Sequence, residues 1–219
     1  MPTAAPHETF PALAAEVWLR HGFLQRVTGL DVQVDREAAL ARLDDYHRAA
    51  LTNIGLADRK FVTAQQVHGK NVVRVDSNSL SPIPDCDGLL TNDPNIALGI
   101  YTADCGAIFL ADPEHRAIGL LHSGKKGTEL GILTVAIEKM RVEFGSNPGQ
   151  IIVQLAPCIR PPHYEIDFAA QIAAQAGAAG IAHYADCGKC TASDLATYYS
   201  YRAELGKTGR LLAVLGYAD

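Results

Sequence analysis

The chain has 219 residues, 48% apolar and 20% charged, with 19 glycines and 11 prolines, a composition that excludes disorder and fits a globular chain. Nineteen Lys and Arg against 24 Asp and Glu leave a net charge of −5, so no global positive field holds a phosphate backbone, and nucleic acid is not expected as a partner. The five cysteines are an odd number spread over a mid-sized chain, which points to reduced thiols rather than a disulfide framework.

At roughly 150 residues per domain this length suits one domain burying about 70% of its unfolded surface. The opening MPTAAPHETFPALAAEVWLRHGF is interrupted by Glu8, Glu16 and Arg20 before any apolar run of signal-peptide length. Nothing further along reaches about 18 uninterrupted apolar residues, so no membrane segment and a cytoplasmic location are expected.

In chain order, Asp35 to Gly55 reads as a helix, with Leu40, Leu43, Ala50 and Ile54 on one face, Asp35 as N-cap and Gly55 as stop. KFVTAQQV and NVVRV then flank a turn at His68-Gly69 as short β-rich stretches. IALGIYTA, AIFLA and AIGLLH follow as apolar runs of strand length. After Gly127, Leu130, Leu133, Ile137, Met140 and Phe144 recur at alternating spacings of three and four, a helix packed on one face and ended by Gly145. IIVQLA predicts a strand, DFAAQIAAQAGAAG a helix capped by Asp167, Thr191 to Gly206 a further helix, and LLAVLG a last strand. Without a strict βαβ alternation the fold class is α+β, a mixed β-sheet core flanked by helices in a single domain spanning residues 1–219.

His68, Cys105 and His122 all fall where predicted strands run into loops, the places where a sheet delivers side chains to a common site. Two imidazoles and a thiolate suit Zn²⁺, and three protein ligands leave the fourth tetrahedral position for water or substrate. Taken singly, each is also what a core thiol or a strand-end histidine looks like, and their spacings match no short metal motif. The segment HSGKKGTEL runs from a strand through a Gly-containing turn into a helix, so its free N–H groups with Lys125 and Lys126 suit an anion such as phosphate. It lacks the GxxxxGK[ST] pattern of nucleotide triphosphatases. CGKC at 187–190 has no second CxxC and no suitably spaced histidine, and reads as two packed or loop thiols. Of the nearby carboxylates, Asp85 and Asp87 read as turn formers, leaving Asp104 as the candidate to orient a ligand or move a proton.

With these residues in hand, the sequence resembles the bacterial laccase-domain proteins, a family named as polyphenol oxidases and associated with purine nucleoside phosphorylase and adenosine deaminase activity. The resemblance rests on HGFLQR, QQVHGKNVVRV, DCDGLLT, YTADCGAIFLAD, HSGKKG, QLAPCIRPPHYEID and YYSYRAELGKTGRLLAVL, and covers most of the chain. It implies zinc ligands at His68, Cys105 and His122, the trio that ligand chemistry suggests independently. Lys125-Lys126 stands where the family usually has Trp-Arg, replacing a planar anion clamp by two flexible point charges. The loop after Arg26 is shorter than is usual, and His163 stands where a cysteine is often found.

The resemblance implies a zinc enzyme acting on purine nucleosides and phosphate. Cys105, His122 and Asp104 are its candidate catalytic residues, and Arg26, Lys125, Lys126 and Arg202 its candidate phosphate contacts, the two arginines assigned from their place in the family blocks. Copper is a possible alternative metal, but multicopper oxidase chemistry is not expected: the chain has eight histidines, none in a His-x-His pair. Two other readings stay open, a Cys-His hydrolase with Cys105 as nucleophile, and a metal-binding family member without turnover.

Overall fold

A computed structural model describes residues 4–218. Eleven strands form two sheets. The first, of five strands, has the order β1 (His7–Glu8), β2 (Leu19–Leu24), β11 (Leu211–Tyr217), β6 (Ile96–Thr102) and β3 (Lys60–Thr63). The second, of six strands, has the order β10 (His183–Asp186), β9 (Ile152–Leu155), β7 (Gly106–Asp112), β8 (Ala117–Ser123), β5 (Gly88–Thr91) and β4 (Val72–Arg74). Both mix parallel and antiparallel pairs, with β3–β6, β4–β5 and β9–β10 parallel.

The two sheets face each other across one core, where Phe23, Leu98 and Val214 of the first meet Phe109, Leu120 and Leu89 of the second. Helix α1 (Pro11–Ala14) closes one end of that core with Leu13. A second core lies on the far side of the six-stranded sheet, covered by α4 (Ile132–Phe144) and α5 (Phe168–Ala178). Strands β7 and β8 are therefore buried on both faces, which is why their sequences read as unbroken apolar runs. Helix α2 (Arg36–Ile54) lies against β2, where a side chain at Gly22 would meet Ile54 within 2.7 Å.

The predicted caps are present. The Asp35 side chain accepts the Ala38 N–H at 2.9 Å, Gly55 ends α2 at φ 83°, and the Asp167 side chain accepts the Ala170 N–H at 2.9 Å. The helix expected after Gly127 is instead two pieces: α3 (Lys125–Glu129) begins earlier, and Gly131 at φ 76° separates it from α4. Leu130, placed on the predicted stripe, falls at that break and is exposed.

The helix expected over Thr191 to Gly206 does not form: a single 3₁₀ turn at Thr191–Ser193 gives way to irregular turns. Its polar groups are used by tertiary partners. Asp104 takes the Thr191 hydroxyl and the Arg202 N–H, Glu204 takes the Ser200 N–H, and Tyr198 and Tyr199 are buried in the first core. KFVTAQQV and NVVRV supply β3 and β4 on either side of the His68-Gly69 turn, and the two strands join different sheets. Among the described residues no helix is long and apolar enough to cross a membrane.

Candidate metal centre and its cavity

His68, Cys105 and His122 meet at one place: one donor atom from each lies within 4.8 Å of the others. The rings of His68 and His122 sit edge to face with centroids 4.8 Å apart. Each residue arrives from a different loop or strand end. His122 is the penultimate residue of β8, buried on the strand face that Ile118 and Leu120 turn toward the first core. Cys105 lies in the tight turn from β6 to β7, where Asp104 takes a left-handed conformation at φ 87°. His68 lies in the loop after β3, itself at φ 60°, with Gln66 at φ 64°.

Asp87 organises two of the three. Its carboxylate lies 2.8 Å from His122 Nδ1 and accepts the backbone N–H groups of Val67, His68 and Gly69 at 3.2, 2.9 and 2.7 Å. Donation from Nδ1–H to this carboxylate keeps a proton on Nδ1 and turns Nε2 toward Cys105, the relation that a metal-ligating histidine keeps with its supporting carboxylate. Burial pushes the Asp87 carboxyl up, but the bonds from His122, Gly69 and His68 outweigh it and hold it below the usual carboxylate range. Gln66 fixes the start of the same loop: its side chain donates to Tyr101 O at 2.5 Å and accepts from Tyr101 N at 3.0 Å, continuing the edge of β6 where β3 stops.

The electrostatics suit a thiolate. Burial alone would raise the Cys105 thiol, yet the charge of His122 and hydrogen bonds with His122 and His68 hold it down at about 6. Burial would lower His122, but the Cys105 thiolate and Asp87 hold the imidazole up at about 9. By contrast burial pushes Cys86 and Cys187 up to about 11 and raises Cys158 further. Cys187 and Cys190 are free thiols packed against the two cores, as the isolated CxxC spacing suggested.

This donor set fits one metal ion. Two imidazoles and a thiolate on three separate segments, one imidazole held by a carboxylate, are a donor set that could hold one ion, and all three line a cavity of about 720 Å³. Lys125, Lys126, Arg202 and Asp104 share the cavity wall with the trio. The Asp104 carboxylate, however, is spent on Thr191 Oγ1 and Arg202 N, both at 2.7 Å, so it fastens the cavity wall to the turn that carries Cys105. Arg26 lies elsewhere. Its guanidinium bonds Glu204 at 2.7 Å and Tyr198 O at 3.1 Å and covers the Tyr199 ring, and it does not line the cavity. An arginine so engaged by a carboxylate has no free fork for phosphate.

Sequence reasoning missed Asp87, dismissed as a turn former, and also Gln66, Arg36 and Arg210, which line the cavity. The signal for Asp87 lay in DCDGLL: a carboxylate one residue before a strand that pairs with the histidine strand, Gly88 opposite Leu121. Nothing in the sequence alone reveals that register.

The chain matches the profile of the family described as multi-copper polyphenol oxidoreductase laccase over residues 24–176 and 163–218. It is 35% identical over 189 residues to the purine nucleoside phosphorylase of Deinococcus radiodurans, covering 74% of this chain and 72% of that protein. It is 28% identical over 231 residues to the purine nucleoside phosphorylase YlmD of Bacillus subtilis, covering 88% of this chain and 82% of that one. The crystal structure of YlmD from Geobacillus stearothermophilus superposes with a TM-score of 0.81 at 21% identity, over the whole of both chains. Neisseria meningitidis protein NMB0706 gives a TM-score of 0.81 at 17% identity, with 99% of this chain and 100% of that chain covered. These last two likenesses show a shared fold. By profile and by sequence identity, the chain belongs to the laccase-like family that carries the multi-copper polyphenol oxidoreductase description and whose curated relatives are named purine nucleoside phosphorylases.

Proposed function

We propose that this protein is a zinc-dependent purine nucleoside phosphorylase, with His68, Cys105 and His122 as the metal ligands. The observation that carries the reading is the convergence of these three donors on one cation-bearing cavity, in a chain whose relatives bear that activity's name. Zinc is favoured over copper because a His₂Cys copper site of the electron-transfer kind wants an axial methionine, and Met140 is a residue of α4 buried in the second core. When bound, Zn²⁺ supplies Lewis acidity at the cavity floor.

The chain's own groups supply the rest. In phosphorolysis a phosphate oxygen forms a bond to the ribose anomeric carbon as the bond from that carbon to the purine nitrogen breaks. The bonding pair leaves with the purine, which takes up the proton that the attacking hydrogen phosphate gives up as it becomes the ester. Positive charge on the cavity wall from Lys125, Lys126 and Arg202 draws phosphate in and offsets the repulsion between the reacting groups. Tyr164, packed edge to face on the buried Phe168, carries the Arg202 guanidinium 4.7 Å over its ring and so holds that cation at the cavity wall. Asp87 keeps the His122 ring in one tautomer throughout.

The test is turnover of adenosine and inosine by zinc-loaded protein, with and without phosphate, following free base and ribose 1-phosphate. Phosphate-dependent release of both products, lost in a folded Cys105→Ala variant, supports the reading. Inosine formed from adenosine without phosphate would assign deamination instead. Phosphate-independent hydrolysis that persists after metal removal would assign a Cys105 thiol hydrolase.

A further inference from the structure

Arg36 and Arg210 are two cavity-lining cations that the phosphorolysis reading has not used. Arg36 is the first residue of α2, and Arg210 immediately precedes β11. Neither has a carboxylate partner among the described residues, unlike Lys125, which lies 4.0 Å from Glu129, and Arg202, which lies 3.5 Å from Glu165.

Arg210 is half-buried and held in place. Its Nη1 donates to Thr208 O and Gly209 O, each at 2.9 Å, while its other donors have no protein acceptor among the described residues. Burial and the nearby charge of Arg36 hold its guanidinium below the ordinary arginine value, and the fields of Cys105 and Asp104 reach it in the opposite sense. Two guanidiniums that line one cavity, neither in an ion pair with a carboxylate among the described residues, are stabilised by an anion from solution. A third group waits beside them. Thr102 is 1% exposed, lines the cavity, and its hydroxyl has no hydrogen-bond partner among the described residues. Strand register sets Thr102 opposite Leu211, the residue after Arg210. A buried hydroxyl without a partner is uncommon in a native fold, and a ligand oxygen would satisfy it.

We propose that Arg36 and Arg210, with the Thr102 hydroxyl, form an oxyanion subsite that takes a phosphate group. The inference rests on the reading of this cavity as a nucleoside and phosphate site. Two planar guanidinium forks match phosphate oxygens in a way that the flexible ammonium groups of Lys125 and Lys126 do not. Those lysines then serve to attract the anion from solution. The phosphate group belongs either to free phosphate or to a nucleotide ester, and both present the same oxygens.

Calorimetric titration of zinc-loaded protein with inorganic phosphate, and separately with adenosine 5′-monophosphate, tests the subsite without requiring turnover. Arg36→Gln and Arg210→Lys, each shown to be folded by its melting temperature, are expected to weaken phosphate binding about ten-fold or more. Arg141→Gln, which removes only an exposed pair with Glu138, serves as the control for net charge. Loss confined to the ester assigns the subsite to a nucleotide's phosphate. Unchanged affinity for both ligands in the folded double variant overturns the proposal. If phosphate binding depends on the arginines while no nucleoside is cleaved, the subsite stands and the phosphorylase reading falls.

Discussion

Asp87 and His122 are joined by a 2.8 Å contact between carboxylate Oδ1 and ring Nδ1, both buried, and the same carboxylate gathers three backbone N–H groups from the loop carrying His68. One side chain thus fixes the ring of one proposed ligand and the backbone of another. Cys105 reaches the same point through the β6–β7 turn. The centre is assembled by sheet register rather than by any local motif.

Asp87→Asn keeps the volume but loses the charge, and its amide nitrogen cannot accept the His122 proton. The expected result is a fall of about 10- to 100-fold in metal affinity, measured by competition with a chromogenic chelator. A stability loss on the order of 2 kcal/mol should accompany it, because charge-assisted bonds in a buried site are removed. Unchanged metal affinity would show that His122 is held without its carboxylate.

Gly124 sits against the thiol: a Cβ at this position would come within 2.5 Å of Cys105 Sγ. Gly124→Ala must therefore displace the sulfur or the turn, with every ligand still present. Weaker zinc binding in a protein with near-normal melting temperature is the expected outcome. Full zinc affinity would mean that Cys105 is not a ligand.

Removing metal with a chelator should expose Cys105 as the reactive thiol at neutral pH. Its thiolate is favoured by His122 and His68, whereas burial holds Cys86, Cys158 and Cys187 protonated. Mass spectrometry after brief iodoacetamide treatment should find Cys105 labelled first, and added zinc should protect it. Labelling unaffected by zinc would contradict the ligand assignment.

Acid should destabilise the fold through two buried neutral histidines. Burial, helped by the charge of His7, holds His21 down at about 4, and its Nε2 accepts the Phe10 N–H at 2.8 Å. Burial holds His47 down at about 4 against the opposing effect of Asp44. An unfolded histidine titrates near ~6.5, so below that value the unfolded state binds more protons. The stability these residues contribute is present above about pH 6.5 and falls as pH drops toward 4, by ~3 kcal/mol for each. Urea midpoints measured across that range should decline, and His21→Gln should decline less steeply.

The sequence made the helices with strong caps legible, since Asp35, Gly55 and Asp167 act locally. It made the buried strands legible because β7 and β8 are apolar on both faces. His68, Cys105 and His122 were readable as donors at strand ends, and the structure brings them together. What failed was tertiary in origin. Thr191 to Gly206 has helical spacing, but its backbone and hydroxyl donors go to Asp104 and Glu204. Asp87 looks like any turn aspartate until β5 pairs with β8 and sets it beside His122. Arg26 keeps its place in a recognisable block, yet Glu204 holds its charge 178 residues away in sequence.

The most direct test of the metal centre is zinc content per chain in protein purified without added metal, for wild type and for His68→Ala. The account predicts close to one zinc per chain in wild type and almost none in a folded His68→Ala, because the variant leaves only two ligands. Metal-free wild type that still cleaves purine nucleosides would contradict it.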